Sequence, residues 1–166
     1  AVFIRDGRLS GHYRKVHLFL DEKDLFEPGD LGFPVFEMQG FSLGMLICFD
    51  WIFPEAWRTL VLKGAQVICH PSNLVIPGLA QRAVPVRAVE NRVFVITTNR
   101  IGTEGGLTFT GLSTIADPTG SILYQAGEAE TVGKTVNIQP ELAQDKWITR
   151  RNHVLNDRRP ETYELE

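Results

Sequence analysis

The spacing of apolar and polar positions changes along the chain, and those changes divide it into elements. Two short runs, 1–4 and 10–18, flank Asp6-Gly7, which predicts a hairpin closed by a tight turn. Residues 19–32 are dense in charge and end in Glu27-Pro28-Gly29-Asp30, so they read as a loop or short helix. Residues 33–37 alternate like a half-buried strand. Residues 41–49 are mostly apolar, as a strand buried on both faces would be. Ala56, Leu60 and Lys63 then follow a helical spacing, with Pro54 suited to a first turn and Gly64 to a stop, and 53–63 reads as a helix.

A second buried strand is expected over 65–70, and a helix over 78–91 with a kink or late start at Pro85. Residues 93–98 read as a β-branched strand. Residues 112–116 and 121–125 form a predicted hairpin around Asp117-Pro118-Thr119-Gly120. A further strand is expected over 131–138 and a short helix over 140–145. The polar tail, 146–166, is expected to order by packing on a partner subunit. Strands separated by helices, then more strands, predict a layered mixed α/β domain. No internal repeat or low-complexity segment interrupts it.

Composition narrows this picture. The chain has 166 residues, 43% of them apolar and 22% charged, which fits one globular domain with a real core. A net charge of -3 argues against a nucleic-acid partner. No apolar run approaches the ~20 residues that cross a bilayer, so no membrane partner is expected. Two cysteines, Cys48 and Cys69, are too few for a disulfide scaffold and favour the reducing cytosol. Ala1-Val2-Phe3-Ile4-Arg5 lacks the basic start and long apolar stretch of a signal peptide. It reads as a strand entered midway, and there is no initiator Met, so we expect an N-terminal portion to be missing.

The chemistry concentrates at Gly44-Met45-Leu46-Ile47-Cys48-Phe49-Asp50. A buried strand runs into a cysteine and a helix follows. Such a bend can hold a nucleophile with the next backbone N–H free to bind an oxyanion. A cysteine ending an apolar strand is more often a small buried hydrophobe, and local pattern alone favours that reading. Cys69, among Val67, Ile68 and His70, has no such bend. A thiol attacks as thiolate and needs a nearby base or cation. Lys15 lies in a predicted strand among apolar neighbours, where it faces either inward with a partner or outward to solvent. Glu22, in the following loop, is a candidate partner or an ordinary surface carboxylate. His17 and His70 have no neighbours at ligand spacing, so no metal is expected and both are expected to be structural.

Taken together, Tyr13-Arg14-Lys15-Val16-His17-Leu18-Phe19, Glu22, Phe26-Glu27-Pro28-Gly29-Asp30, Ile47-Cys48-Phe49-Asp50, Phe53-Pro54-Glu55 and Arg58 closely resemble the nitrilase superfamily of carbon–nitrogen hydrolases. Gly64-Ala65, His70-Pro71-Ser72-Asn73, Arg87-Ala88-Val89-Glu90-Asn91 and Asp117-Pro118-Thr119-Gly120 follow in the family's order, and the texture is closest to its short members from thermophilic archaea. The resemblance implies a four-layer α-β-β-α sandwich, of which this chain holds part, and a homodimer or higher oligomer. It implies hydrolysis of a small amide or nitrile to a carboxylic acid and ammonia through a Cys thioester, without cofactor or metal. Cys48 matches the nucleophile, Lys15 the triad lysine and Glu22 a second glutamate that holds the lysine. The family's base glutamate lies upstream of the lysine motif, where the only acidic residue here is Asp6.

The resemblance further gives Lys15 and the Phe49 N–H as oxyanion partners and Asn73 as pocket-lining. Trp51 stands at the pocket wall or in ordinary packing. Asp50, Glu55, Arg58, Arg87 and Glu90 brace the site. The alternatives are an N-carbamoyl amidohydrolase or a catalytically incomplete fragment. A cysteine protease would want a histidine base in a comparable motif, which the chain does not offer.

Overall fold

The computed structural model describes residues 1–163. The tail expectation extends past that limit, so its residues 164–166 lie outside the described residues. β1 (Val2–Arg5) and β2 (Arg8–His12) form the first hairpin. Asp6 and Gly7, at φ 51° and 72°, make its turn; left-handed backbone at both central positions is what Asp-Gly supplies. The strand expected over 10–18 stops at His12. Tyr13 is buried and the chain after it leaves the ladder, because its polar groups are taken by a distant carboxylate described below. α1 (Glu22–Leu25) is one turn within the charged loop.

A six-stranded sheet carries the rest. β3 (Val35–Glu37), β4 (Ser42–Met45), β5 (Val67–Ser72), β6 (Phe94–Asn99), β9 (Thr114–Ala116) and β10 (Ile122–Gln125) lie in the order β10-β9-β6-β5-β4-β3. The centre β4-β5-β6 is parallel and the flanking pairs antiparallel. Parallel strands need crossovers, and α2 (Pro54–Leu62) and α3 (Leu79–Asn91) supply them. Pro54 occupies the first turn of α2, and Gly64 follows its end at φ 97°. α3 starts at Leu79 and keeps Pro85 inside it.

The helices share one face of the sheet. Trp57, Leu60, Val84 and Ala88 pack there on Leu46, Ile68 and Val95. Fully burying Trp57 and Leu60 contributes roughly 2 kcal/mol each. α2 lies so close to β4 that a Cβ on Gly44 would come within 2.9 Å of Leu60. On the opposite face Val67 and Phe94 meet Phe41, Ile96, Ile138 and Ala143. The period-two alternation of β5 and β6 divides these residues between the faces.

One expectation needs correction. Residues 131–138 form no ladder; Gly133 interrupts their β-branched pattern, and Ile138 alone joins the core. The short helix expected over 140–145 is a 3-10 helix over Pro140–Gln144. A small hairpin, β7 (Thr103–Glu104) and β8 (Leu107–Thr108), turns at Gly105-Gly106, a Gly-Gly signal present in the sequence but not anticipated. The tail begins with another hairpin, β11 (Trp147–Thr149) and β12 (Asn152–His153), held on this same chain. Lys146 Nζ donates to the carbonyls of Asn91 (3.0 Å) and Arg92 (2.7 Å) at the end of α3. Leu155 packs against the helix-side core. Among the described residues, no helix is long and apolar enough to cross a membrane.

Candidate active site

β4 ends at Met45, and a 3-10 turn, Cys48–Ile52, follows before α2. Cys48 opens that turn at φ 44°, left-handed backbone that non-glycine residues seldom adopt. Such strain persists only where the surroundings over-determine it. Asp50, fully buried, is the first restraint. Its Oδ2 accepts from the Ile47 N–H (2.8 Å) and the Tyr13 hydroxyl (2.7 Å). Its Oδ1 accepts from the His17 N–H (3.2 Å) and His17 Nδ1 (2.7 Å). The His17 ring stacks on Phe53 at 3.7 Å. Asp50 thus fastens the Tyr13–His17 segment to the cysteine turn, 33 to 37 residues away in sequence.

Between Tyr13 and His17 sits Lys15, its side chain only 11% exposed. Its Nζ pairs with Glu22 Oε2, which also accepts from the Phe19 N–H (2.7 Å). Lys15 therefore faces inward with a partner, and Glu22 is not a free surface carboxylate. Gly29 closes this loop: its N–H donates to the Lys15 carbonyl at 2.7 Å. A Cβ there would lie 2.2 Å from the Arg14 carbonyl oxygen, so the close approach requires glycine.

Cys48 and Glu22 line one pocket of about 590 Å³. Phe19, Leu25, Ile47, Val75, Leu107 and Phe109 give it an apolar wall, and Asp21, Ser72 and Asn73 add polar groups. Burial pushes the Cys48 thiol up. The backbone N–H groups of Asn73 and Phe49 and the nearby Lys15 charge draw it down, while Glu22 raises it; the net direction is upward. The thiol therefore sits protonated near neutral pH but surrounded by donors that would favour an anion.

The other predicted residues separate. Asn73 reaches the pocket. Trp51 is 7% exposed and packs in the core; its ring borders a narrow cleft beneath Cys48, not the pocket itself. Arg87 pairs with Glu90 (3.0 Å) and donates to the carbonyls of Trp51 (3.4 Å) and Ile52 (3.3 Å), tying α3 to the cysteine turn. Arg58 donates to the Glu90 (2.8 Å) and Val154 (3.3 Å) carbonyls. Glu55 is exposed and makes no ion pair among the described residues. His17 and His70, expected to be structural, bond to Asp50 and to the Cys48 carbonyl; the part of Tyr13 in the site, Leu107 of the hairpin and Phe109 after it were not anticipated. Gly105-Gly106 was the one local signal that pointed toward any of them. Among the described residues, no cluster of three or more His, Cys, Asp or Glu could hold a metal ion.

The sequence pattern of the carbon-nitrogen hydrolase family matches residues 1–146. A nitrilase of Pyrococcus abyssi (strain GE5 / Orsay) is 49% identical over 163 residues, covering 98% of this chain and 62% of the relative. The N-carbamoylputrescine amidase of Arabidopsis thaliana is 33% identical over 189 residues, covering 99% of this chain and 61% of the relative. A mutant amidase from Nesterenkonia sp. AN1, with the acetamide moiety of fluoroacetamide added covalently at its active-site cysteine, superposes with a TM-score of 0.70. It is 36% identical, and the match covers 74% of this chain and 48% of that one. The chain thus spans less than two thirds of the length of these relatives.

Proposed function

The chain belongs to the carbon–nitrogen hydrolase family, and from that premise we propose that it carries the nucleophile and oxyanion site of an enzyme hydrolysing small amides or nitriles to a carboxylic acid and ammonia. The observation that carries this reading is the Cys48 thiol, set on a left-handed turn at the pocket that Asn73 also lines, with the Lys15–Glu22 pair close enough to shift it.

In this reading Cys48 Sγ adds to the amide carbonyl carbon. The carbonyl electrons move to oxygen, and the charge is met by Lys15 and by backbone N–H groups, chiefly that of Phe49. The C–N bond then breaks, ammonia leaves with the proton it needs, and a thioester remains. Water adds to the thioester; the acid departs and the thiol is restored. A nitrile first gives a thioimidate by addition of Sγ to its carbon; water then adds and ammonia leaves, giving the same thioester. Burial keeps the thiol protonated, so a carboxylate must take its proton. Glu22 is committed to Lys15 and the Phe19 N–H, which suits a holding role. The family pattern places the base upstream of the lysine, where this chain has only Asp6, in the hairpin turn.

An N-carbamoyl amine is the second candidate substrate. Among the described residues the pocket wall holds Asp21 and Glu22 and no Lys, Arg or His; Glu22 is paired with Lys15, so Asp21 is the charge left without an ion pair, which suits a neutral or cationic tail better than a carboxylate. We also propose that copies pair, since Trp147 and Ile148 on the tail hairpin are half exposed and apolar. The cytosol suits the two free cysteines.

The test is ammonia release by the complete gene product across a panel of amides, nitriles and N-carbamoyl compounds. Cys48→Ala should abolish turnover of every substrate cleaved. Turnover surviving in that variant would refute the thioester route.

A further inference from the structure

His70, on β5, is fully buried, and neither the nucleophile nor the lysine pair uses it. Its Nε2 lies 2.8 Å from the Cys48 carbonyl oxygen. A carbonyl only accepts, so Nε2 carries the proton. Nδ1 is then the acceptor of a neutral ring, and the buried Thr97 hydroxyl lies 3.1 Å from it, placed to donate. Burial holds the ring neutral by pushing its pKa down to about 4. The edge of Trp57 packs on the imidazole at 5.6 Å. Ser72 Oγ lies 3.1 Å from Nε2, but its own proton goes to the His70 carbonyl at 3.2 Å. One ring nitrogen is thereby aimed at one backbone oxygen.

That oxygen belongs to the peptide plane whose other polar group is the Phe49 N–H. The described chain has no cis peptide bonds, so in this plane C=O and N–H point in opposite directions. Holding the oxygen therefore aims the N–H. We propose that His70 is a positioning residue: by donating from Nε2 to the Cys48 carbonyl it fixes the Cys48–Phe49 peptide, keeps Cys48 left-handed and turns the Phe49 N–H toward the developing oxyanion. The proposal rests on the hydrolase reading for the oxyanion but not for the peptide orientation, which is a property of the fold itself.

The test compares His70→Leu, which removes the donor, with His70→Gln, whose Nε2 amide can replace it. Thr97→Val is a milder change that frees the tautomer and keeps the ring. Two reactions at Cys48 separate the effects. Propionaldehyde adds the thiol across its carbonyl, forming the S–C bond and a tetrahedral oxygen that needs the Phe49 N–H. Iodoacetamide alkylates the sulfur with loss of iodide and forms no such oxygen. His70→Leu should weaken aldehyde binding roughly 10- to 100-fold, below the cost of deleting an oxyanion donor outright. Its alkylation rate should also fall, because the bend moves, but by clearly less than the aldehyde affinity, since alkylation needs no oxyanion donor. His70→Gln should recover most of the aldehyde affinity, and Thr97→Val should fall between.

Crystal structures of the variants should show the Cys48–Phe49 peptide rotated in His70→Leu and restored in His70→Gln. An unmoved peptide in a folded His70→Leu, or equal loss of both reactions, would overturn the proposal. A wild-type protein inert to both reagents would instead count against the hydrolase reading, and the crystal structures would still decide the role of His70.

Discussion

Replacing Asp50 by Asn tests whether one buried carboxylate joins the lysine segment to the cysteine turn. Four donors meet its two oxygens, two at each. An amide in the same place keeps one oxygen and presents a donor where the other stood. Two of the four neighbours can adapt: the Tyr13 hydroxyl can rotate to accept, and His17 can exchange its ring proton. The backbone N–H groups of Ile47 and His17 cannot. They bond to different oxygens, so either amide orientation leaves one of them facing a donor. Hydrogen bonds to charged groups are worth about 1.5–3 kcal/mol, and an orphaned buried donor costs about 1–3 kcal/mol. Asp50→Asn should therefore destabilise the protein by about 3 kcal/mol. Tyr13→Phe removes one bond and leaves the Val16 N–H, 3.2 Å from the hydroxyl, without its partner; it should cost about 2 kcal/mol. Urea denaturation of the complete gene product measures both. The double variant should cost less than the sum, since the two changes break one shared bond. A loss below about 1 kcal/mol in Asp50→Asn, with unchanged m-value, would refute the hub as drawn.

Three further outcomes follow from the same geometry. The rate of iodoacetamide alkylation at Cys48 should keep rising above pH 9, because burial raises the thiol; Lys15→Gln should move the profile higher and Glu22→Gln lower, since the lysine charge lowers the thiol and the glutamate charge raises it. The neutral His70 takes up a proton in the unfolded chain near pH 6.5 but in the folded chain only near pH 4, so folding stability is lost as pH falls through that window, by about 3 kcal/mol; His70→Gln should lack this component in denaturation series at pH 7 and pH 4, and an identical pH slope in both proteins would contradict it. Gly29→Ala should destabilise by roughly 2 kcal/mol or more and lower amide turnover, because its Cβ must push the backbone at Arg14 and with it Lys15; a variant of wild-type stability and activity would show that the loop has slack the structure does not display.

What could be read from the sequence was local in origin. Asp6-Gly7 announces its turn, Pro54 and Gly64 bracket their helix, and the buried strands announce themselves by their apolar runs. Lys15, Glu22 and Cys48 could be matched as candidates because ordered motifs surround them, although local pattern favoured an inert thiol. The errors occurred where a distant side chain overrides the local pattern. The Tyr13 backbone still bonds to Ala1, but beyond it the chain leaves the hairpin, and the Tyr13 and His17 side chains reach an aspartate 33 to 37 residues on. Cys48 is left-handed in part because Asp50 holds the N–H of Ile47, the residue before it, and His70 holds the peptide after it. The bond from His70 spans 22 residues and ends on a backbone oxygen, so no residue pattern encodes it. The strand expected over 131–138 is broken at Gly133, and its residues run beside the edge strand β10 without pairing to it.

The two bends at the pocket share a construction. Leu20, at φ 47°, and Cys48, at φ 44°, are both non-glycine residues in left-handed backbone. Each is preceded by a backbone N–H donated to a carboxylate: Phe19 to Glu22, and Ile47 to Asp50. Each carboxylate also holds a second group, the Lys15 ammonium in one case and the Tyr13–His17 segment around it in the other. Bend and lysine are thus fixed by the same two acids. Neutralising either acid changes charge and backbone together, so a fall in activity in Glu22→Gln or Asp50→Asn does not by itself separate electrostatics from geometry. Cys48 alkylation can separate them for Glu22. A purely electrostatic effect lowers the pH midpoint and leaves the limiting rate of the thiolate alone, whereas a displaced bend changes that limiting rate whatever the pH.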